Sequence, residues 1–393
     1  MRAPVRMPIS NLVTGDTYTA KLTVDATSLQ FDMLLDTGSS ALAIDGGFYD
    51  PATDKNAQTT RLLQSVLYGS ANFVGAVIRT SLGLLPADPS DGVVLSGVNL
   101  AVTYNARRQT FGKAQGILGL AYKALDSAYL MSADTWQNQY DADQISLGEE
   151  ADLEPYVSQL KDAGLIADVF AFCTRRSIGR AALDDPAADA LNHGFFIVGG
   201  GADCTDLYTG AFTSVAVVGE QFYNANLLAV KVGDQPSLAV PPLAPGKRAA
   251  SNAFIDSGTN TLLLDQDLYA RIVLSFGRIQ PGFADALQAG ALSAGGSYDQ
   301  RLLDLDTWPN LAFVLQGSDG SPATLTVAPS DYWQFDAGAK GLAVAVICGD
   351  RGMQGGQSIL GLPIFSSHLV VFDRTASNGH GRVDFARQKG LFF

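Results

Sequence analysis

Two short segments of the chain place a carboxylate among small and hydroxylated residues at the end of an apolar run: MLLDTGSS at 33–40 and AFIDSGTN at 253–260. In each, an aspartate (Asp36, Asp256) precedes a hydroxyl residue (Thr37, Ser257), a glycine (Gly38, Gly258) and a second hydroxyl residue (Ser39, Thr259). A lone Asp-Thr-Gly is ordinary turn chemistry. Two copies with matched flanks say more, because two lobes packed about a pseudo-twofold axis would bring both loops, and both carboxylates, to one place. Adjacent carboxylates cannot both ionise cheaply, so such a pair keeps one proton and offers one base and one acid. The base takes a proton from water as it attacks an amide carbonyl, the acid protonates the carbonyl oxygen, and the roles reverse to protonate the leaving amine. That chemistry calls for no metal and no cofactor. The glycines allow backbone N–H groups to approach the carboxylates, while Ser39 and Thr259 are placed to hydrogen-bond their outer oxygens. Thr37 and Ser257 are the residues to bond across the axis.

The elements that must hold these loops repeat as well. GILGLAY (116–122) follows the first aspartate and SILGLPIF (358–365) follows the second, in the same order but with different loop lengths between. A duplicated lobe is the simplest explanation, and 393 residues exceed what one hydrophobic core usually serves. The division is expected near residue 207, in FFIVGGGADCTDLYTGAF (195–212), where an apolar strand meets a glycine run and a turn. The lobes are then 1–207, with the first aspartate, and 208–393, with the second. YTAKLTVDATSLQFDMLLD and NLLAVKV alternate as half-buried strands do, and HLVVFD reads as a buried one. Helical spacing is confined to 153–165 and to 265–276, where Asp265 is a suitable cap. Residues 180–194 read as a surface insertion.

Composition agrees with an all-β class having a few short helices: 47% of residues are apolar, 17% are charged, and 41 are glycine. A net charge of −13 without any basic run argues against a nucleic-acid partner. No apolar run approaches the roughly 20 residues that span a bilayer, and MRAPVRMPIS lacks the apolar core of a secretory signal. Three cysteines (Cys173, Cys204, Cys348) and the lack of any Asn-x-Ser/Thr sequon lean towards a reducing, intracellular setting. A Cys173–Cys204 bridge is open on sequence grounds; three buried thiols is the default. His193, His368 and His380 form no zinc pattern, no Gly-x-Ser-x-Gly elbow is present, and VGGGADC (198–204) lacks the Lys-Ser/Thr of a phosphate cradle.

Taken together, LLDTGSS, FIDSGTN, VLYGSANFVG (66–75), GILGLAY, GGADCTDLYTGAF and ILGLPIFSSHLVVFD (359–373) occur in an order that resembles the pepsin-like aspartic proteases over nearly the whole chain. The resemblance implies a bilobal, mostly β fold with a central cleft. Asp36 and Asp256 would be its dyad, sharing a proton as this class of enzyme is established to do, and Tyr68 would sit on a flap hairpin closing over bound peptide. Gly69, Ser70, Gly38, Gly258 and Thr259 match substrate-binding positions, with Thr37, Ser39 and Ser257 supporting the dyad. It further implies cleavage between large apolar residues, an acidic optimum and sensitivity to pepstatin-type inhibitors.

Three positions depart from the pattern. Ala41-Leu42-Ala43 stands where Asn-Leu-Trp is usual, removing the Trp that commonly bonds the flap tyrosine; Gln115 replaces an Asp before GILGL; and Leu362 replaces the Asp after ILG. No basic pro-segment is visible before Asp36. With the Met start, the odd cysteine and the Ala-rich composition, this favours the bacterial homologues of the shewasin type, and with them a cytoplasmic monomer acting on peptides or unfolded proteins; a secreted mature form is the alternative. The rival function is a catalytically silent binding or inhibitor protein on the same fold, against which both aspartates, both glycines and Tyr68 speak.

Overall fold

The alternation QFDMLL becomes the strand Leu29–Asp36, which buries Phe31, Met33 and Leu35 on one face and ends on the first aspartate. The computed structural model describes residues 3–24, 29–68, 71–103, 111–136, 147–244, 249–350, 356–376 and 380–390, leaving out the side chains at 67, 68, 71 and 72.

Around Asp36 the chain closes a compact arrangement of strands. Leu29–Asp36 runs parallel to Gly116–Gly119, with Met33 opposite Gly116 and Asp36 opposite Gly119. Leu42–Asp45 comes back on the other side of Gly116–Gly119, antiparallel, with Leu42 opposite Leu118, and lies parallel to the end of Val93–Thr103. Around Asp256 the same pattern recurs: Ala253–Ile255 is parallel to Ser358–Leu360, Leu262–Asp265 is antiparallel to it, and Leu262–Asp265 is parallel to Ile347–Asp350. In both halves the Ile-Leu-Gly strand is threaded between the two arms of an Asp loop. Its residues are therefore almost wholly apolar, since a strand flanked on both edges and covered on both faces has nowhere to place polar groups. Leu118 and Leu360 have no accessible surface.

The fold is mostly β and bilobal. Fifteen of the described strands form one continuous sheet running from the first Asp loop into a mixed region built by both ends of the chain. There Val5–Ser10 pairs with His193–Val198, Val169–Cys173 pairs with His368–Asp373, and Arg382–Gln388 pairs with Tyr208–Ala216. Residue 207 lies immediately before this last strand. The sheet's inner face is filled by Phe170, Phe172, Phe196, Phe365 and Phe372, with Phe170 and Phe372 stacked 4.9 Å apart, an aromatic contact that adds to the burial of the rings.

The hairpin Gln58–Tyr68 with Ala71–Leu84 projects from the first half, Val66 facing Phe73 and Tyr68 facing Ala71. Towards its tip, Val66 and Phe73 pack on Ala41, Ala43, Phe111 and Ile117, with the Phe73 and Phe111 rings edge-to-face at 5.7 Å. Ala41 and Ala43 have no accessible surface. The volume left by a missing indole at 43 is thus occupied by apolar side chains, two of them from the hairpin itself.

The helical patterns appear as Tyr156–Asp162 and Gln266–Ile279, and Asp265 caps the latter by accepting from the N–H groups of Asp267 and Leu268. A further helix, Pro281–Ala289, starts on proline, a residue suited to the first helical position, but has no capping side chain before it. The 180–194 segment is exposed at 183–185, 187 and 188 but is not a free insertion: Asp189 and Asn192 are buried, 193–194 open the strand His193–Val198, and Arg180 reaches Asp189 at 3.2 Å and Asp336 at 3.3 Å. Cys173, Cys204 and Cys348 are unpaired and buried, so no Cys173–Cys204 bridge forms. Burial pushes the Cys173 thiol up to about 11. No helix of the described residues is long and apolar enough to cross a membrane.

Candidate active site

The two Asp loops meet back to back. Thr37 donates its backbone N–H to Ser257 Oγ at 3.0 Å and its hydroxyl to the Ile255 carbonyl at 3.1 Å. Ser257 answers with its own N–H to Thr37 Oγ1 at 2.8 Å and its hydroxyl to the Leu35 carbonyl at 2.9 Å. These four bonds obey a local twofold: 37 exchanges with 257 and 35 with 255. All of them are buried, where an unmade hydrogen bond is costly, so the loops are locked to each other in one register.

This lock sets the carboxylates. The Gly38 N–H donates to Asp36 Oδ1 at 2.7 Å, and the Gly258 N–H donates to Asp256 Oδ1 at 2.9 Å. The glycines also explain how closely the halves approach. A Cβ built on Gly38 would stand 2.8 Å from Asp256 Oδ1, and one built on Gly258 would stand 2.4 Å from Asp36 Oδ1. Each glycine thus supplies a donor to its own aspartate and leaves space for the opposite one. Asp256 is 6% exposed. Asp36 keeps a narrow window to solvent, yet the protein around its carboxylate strips enough hydration that burial, followed by the charge of Asp256, drives its pKa well above the usual carboxylate range.

The outer positions are not symmetric. Thr259 donates its hydroxyl to Asp256 Oδ2 at 2.6 Å and is half-exposed. Ser39, its counterpart, is fully buried; its hydroxyl lies close enough to favour ionised Asp36 but makes no hydrogen bond of regular geometry. Of the two residues placed to bond the outer oxygens, Thr259 makes that bond and Ser39 lies beside its carboxylate without one. One residue on, the Ser40 hydroxyl donates to the Tyr122 carbonyl at 2.6 Å, whereas the Asn260 amide reaches Asp16 Oδ2 at 3.0 Å. Of the remaining predicted positions, Tyr68 ends its strand with its side chain outside the described residues, and Gly69 and Ser70 lie outside them altogether.

A comparison with protein families matches residues 17–387 to the model for eukaryotic aspartyl proteases. The chain belongs to that family. No curated protein matches it. Membership brings the pepsin-like bilobal fold and a hydrolase, peptidase class of activity.

Set on this aspartyl protease fold, the departures at 115 and 362 have structural roles. Gln115 Oε1 accepts the Asp32 N–H at 3.0 Å, tying the residue before GILGL to the strand that carries Asp36. Leu362 is wholly buried, and its N–H donates to the Thr259 carbonyl at 2.8 Å. Several residues of this aspartyl protease had no distinct sequence signal. Asp16 is one; Tyr223 and Arg374, which sit behind the Asp36 loop, are others. Asp126 is a fourth: it is 3% exposed, accepts Gln64 Nε2 from the projecting hairpin at 2.7 Å, and is pushed up to about 7 by burial. None belongs to a repeated motif, and only the fold brings its partner near.

Proposed function

We propose that the protein is an aspartic endopeptidase in which Asp36 and Asp256 share one proton and activate a water between them. The observation that carries this reading is the crossed contact, with each aspartate seated against the glycine of the other loop. Only one carboxylate of such a pair ionises readily, and burial of Asp36 strengthens that preference. The ionised member removes a proton from water, whose oxygen bonds to the peptide carbonyl carbon while the protonated member gives its proton to the carbonyl oxygen. Collapse of the tetrahedral diol breaks the C–N bond as the proton just acquired passes to the nitrogen, and the other carboxylate recovers its proton from the diol hydroxyl.

Because the doubly ionised pair has lost its acid, activity belongs at acidic pH and falls as pH rises through the raised value of Asp36. Gly38, Gly258 and Thr259 border the water's position and are proposed to contact the substrate backbone. Tyr68, Gly69 and Ser70 are proposed as the flap tip. The apolar cluster of Phe73, Phe111 and Ile117 next to the Asp36 loop supports a preference for large apolar side chains at the cut bond. We further propose lobes divided near residue 207, a monomer needing no cofactor, peptide or unfolded-protein substrates, and kinship with the bacterial, cytoplasmic shewasin-type homologues.

The test is cleavage of an unfolded protein and of peptides with apolar residues flanking one bond, measured from acidic to neutral pH, with and without pepstatin. Acid-favoured cleavage blocked by pepstatin is expected. Cleavage insensitive to pepstatin, or none at any pH, would overturn the proposal.

A further inference from the structure

Behind the Asp36 loop, on the side away from the proposed water, a second set of contacts joins the two halves. The Leu120 N–H donates to the Asp36 carbonyl at 2.8 Å, and the Ala121 N–H donates to the Ser39 carbonyl at 2.7 Å. The backbone of Asp36 therefore rests on residues 120–121. Their own carbonyls are held in turn by two side chains from elsewhere in the chain. The Tyr223 hydroxyl donates to the Leu120 carbonyl at 2.7 Å. The Arg374 guanidinium donates to the same carbonyl and to that of Ala121 at 3.0 Å. Arg374 also donates to Tyr223 Oη at 2.8 Å, so the two side chains act as one unit.

Tyr223 is not a random neighbour. Its strand, Tyr223–Ala225, pairs antiparallel with Ala253–Ile255, and Tyr223 stands opposite Ile255, the residue before Asp256. A continuous path then runs from Asp36 through Leu120 to Tyr223, and from Tyr223 across one strand pairing to Asp256. It approaches the Asp36 loop from the side opposite the Thr37–Ser257 lock and meets that lock at Ile255. Arg374 is clamped in place: its side chain is 5% exposed, Asp168 lies 3.8 Å away, and the Tyr122 ring sits 5.0 Å from the guanidinium carbon. A buried cation with this many partners is costly to disturb and has a single geometry.

We propose that Tyr223 and Arg374 are positioning residues that fix the separation of Asp36 and Asp256 by holding Leu120 from behind. This rests on the dyad reading above. Among the described residues the second half is built differently: Pro363, which stands where Ala121 stands in the repeat, has no N–H to give, and the Leu362 carbonyl is held locally, by the Phe365 and Ser366 N–H groups and the Ser366 hydroxyl, rather than by side chains of the other half. The brace thus acts on Asp36 alone, and loosening it lets one carboxylate drift relative to a fixed partner.

The discriminating variant is Tyr223→Phe, which keeps the ring and removes the hydroxyl that donates to Leu120 and accepts from Arg374. Among titratable groups, Asp256 is the one that acts on Asp36. A wider pair repels less, so the shared proton is lost at lower pH. Expected are a kcat lowered roughly 3- to 10-fold, the effect of losing the hydroxyl's bond to Leu120, a KM within about twofold of wild type, and an alkaline limb of kcat/KM moved to lower pH. Arg374→Lys, which keeps the charge but not the planar fork of donors, should lie between wild type and Arg374→Met. A Tyr223→Phe protein with an unmoved alkaline limb, whatever its melting temperature or kcat, overturns the proposal. An Asp256→Ala variant with full activity would instead sink the dyad reading itself, so the two failures are distinguishable.

Discussion

The Asp36 and Asp256 loops come from one repeated sequence, share one strand topology and exchange four twofold-related hydrogen bonds, yet they are finished differently. Around Asp36 the loop is built inwards: Ser39 and Ser40 are buried, Ser40 is bonded to Tyr122, and Leu120 is held from behind. Around Asp256 the loop opens outwards: Gly258, Thr259 and Asn260 are half-exposed, and the Thr259 hydroxyl is spent on the carboxylate itself. The symmetric contacts set where the carboxylates are. The asymmetric ones decide how each is solvated and held, and a pair that must divide into acid and base needs that inequality.

The largest expected break comes at the shared glycines. Gly258→Ala would drive a methyl to within 2.4 Å of Asp36 Oδ1, and Gly38→Ala would bring one to 2.8 Å from Asp256 Oδ1. Displacing a reacting group by about an ångström costs on the order of a hundredfold, so both variants should lose that much kcat/KM. Gly258→Ala should be the more damaged of the two, as steady-state kinetics would show.

Next come the crossed hydroxyls. Thr37→Val and Ser257→Ala each strip one oxygen that both donates and accepts in a buried site. Each should lower unfolding free energy by about 1–3 kcal/mol, read by urea denaturation, and because the contacts are symmetric the two losses should match. A cost confined to one of them would show that the apparent twofold is not energetic.

The outer hydroxyls should instead differ. Thr259→Val removes a 2.6 Å bond to Asp256, while Ser39→Ala removes a hydroxyl with no regular hydrogen bond. A loss of roughly tenfold in kcat is expected for the former, from one charge-assisted bond, and about twofold or less for the latter. Equal effects would erase the asymmetry described here.

The smallest effect on activity, though not on stability, is expected at Asp126, beneath the projecting hairpin. Its folded pKa of about 7 lies above the ordinary carboxylate value of 3.8, so the folded protein binds a proton that the unfolded chain has already released. Stability therefore falls as pH rises from about 4 to about 7 and levels off above, by on the order of a few kcal/mol. Asp126→Asn should flatten that slope without moving the acid limb of activity, as chemical denaturation at several pH values would reveal.

Much of this architecture was legible because the repeat is local: Asp-hydroxyl-Gly after an apolar run, then Ile-Leu-Gly, encodes strand, loop and threaded strand with little help from the rest of the chain. The crossed contact of Thr37 with Ser257 followed from symmetry alone. Tertiary partners were not legible. Nothing in the surroundings of Tyr223 or Asp126 announces that one supports Leu120 and the other receives Gln64, since those pairings depend on strand register across the sheet. The alanines at 41 and 43 looked like a loss at the sequence level. They fit because Val66, Phe73, Phe111 and Ile117 fill the space, a compensation spread over four separate segments. Helix 281–289 carries no capping side chain to mark its start.

The central claim is that neither loop works without the other. It is tested most directly by kcat/KM at the acidic optimum for Asp36→Asn and Asp256→Asn made separately, each verified to be folded. Both should fall together by at least about a thousandfold, since removal of either half of an acid–base pair that acts as a unit abolishes its function. Retention of more than about a tenth of wild-type activity by either variant, a deficit under about 1.4 kcal/mol in the transition state, would contradict the account.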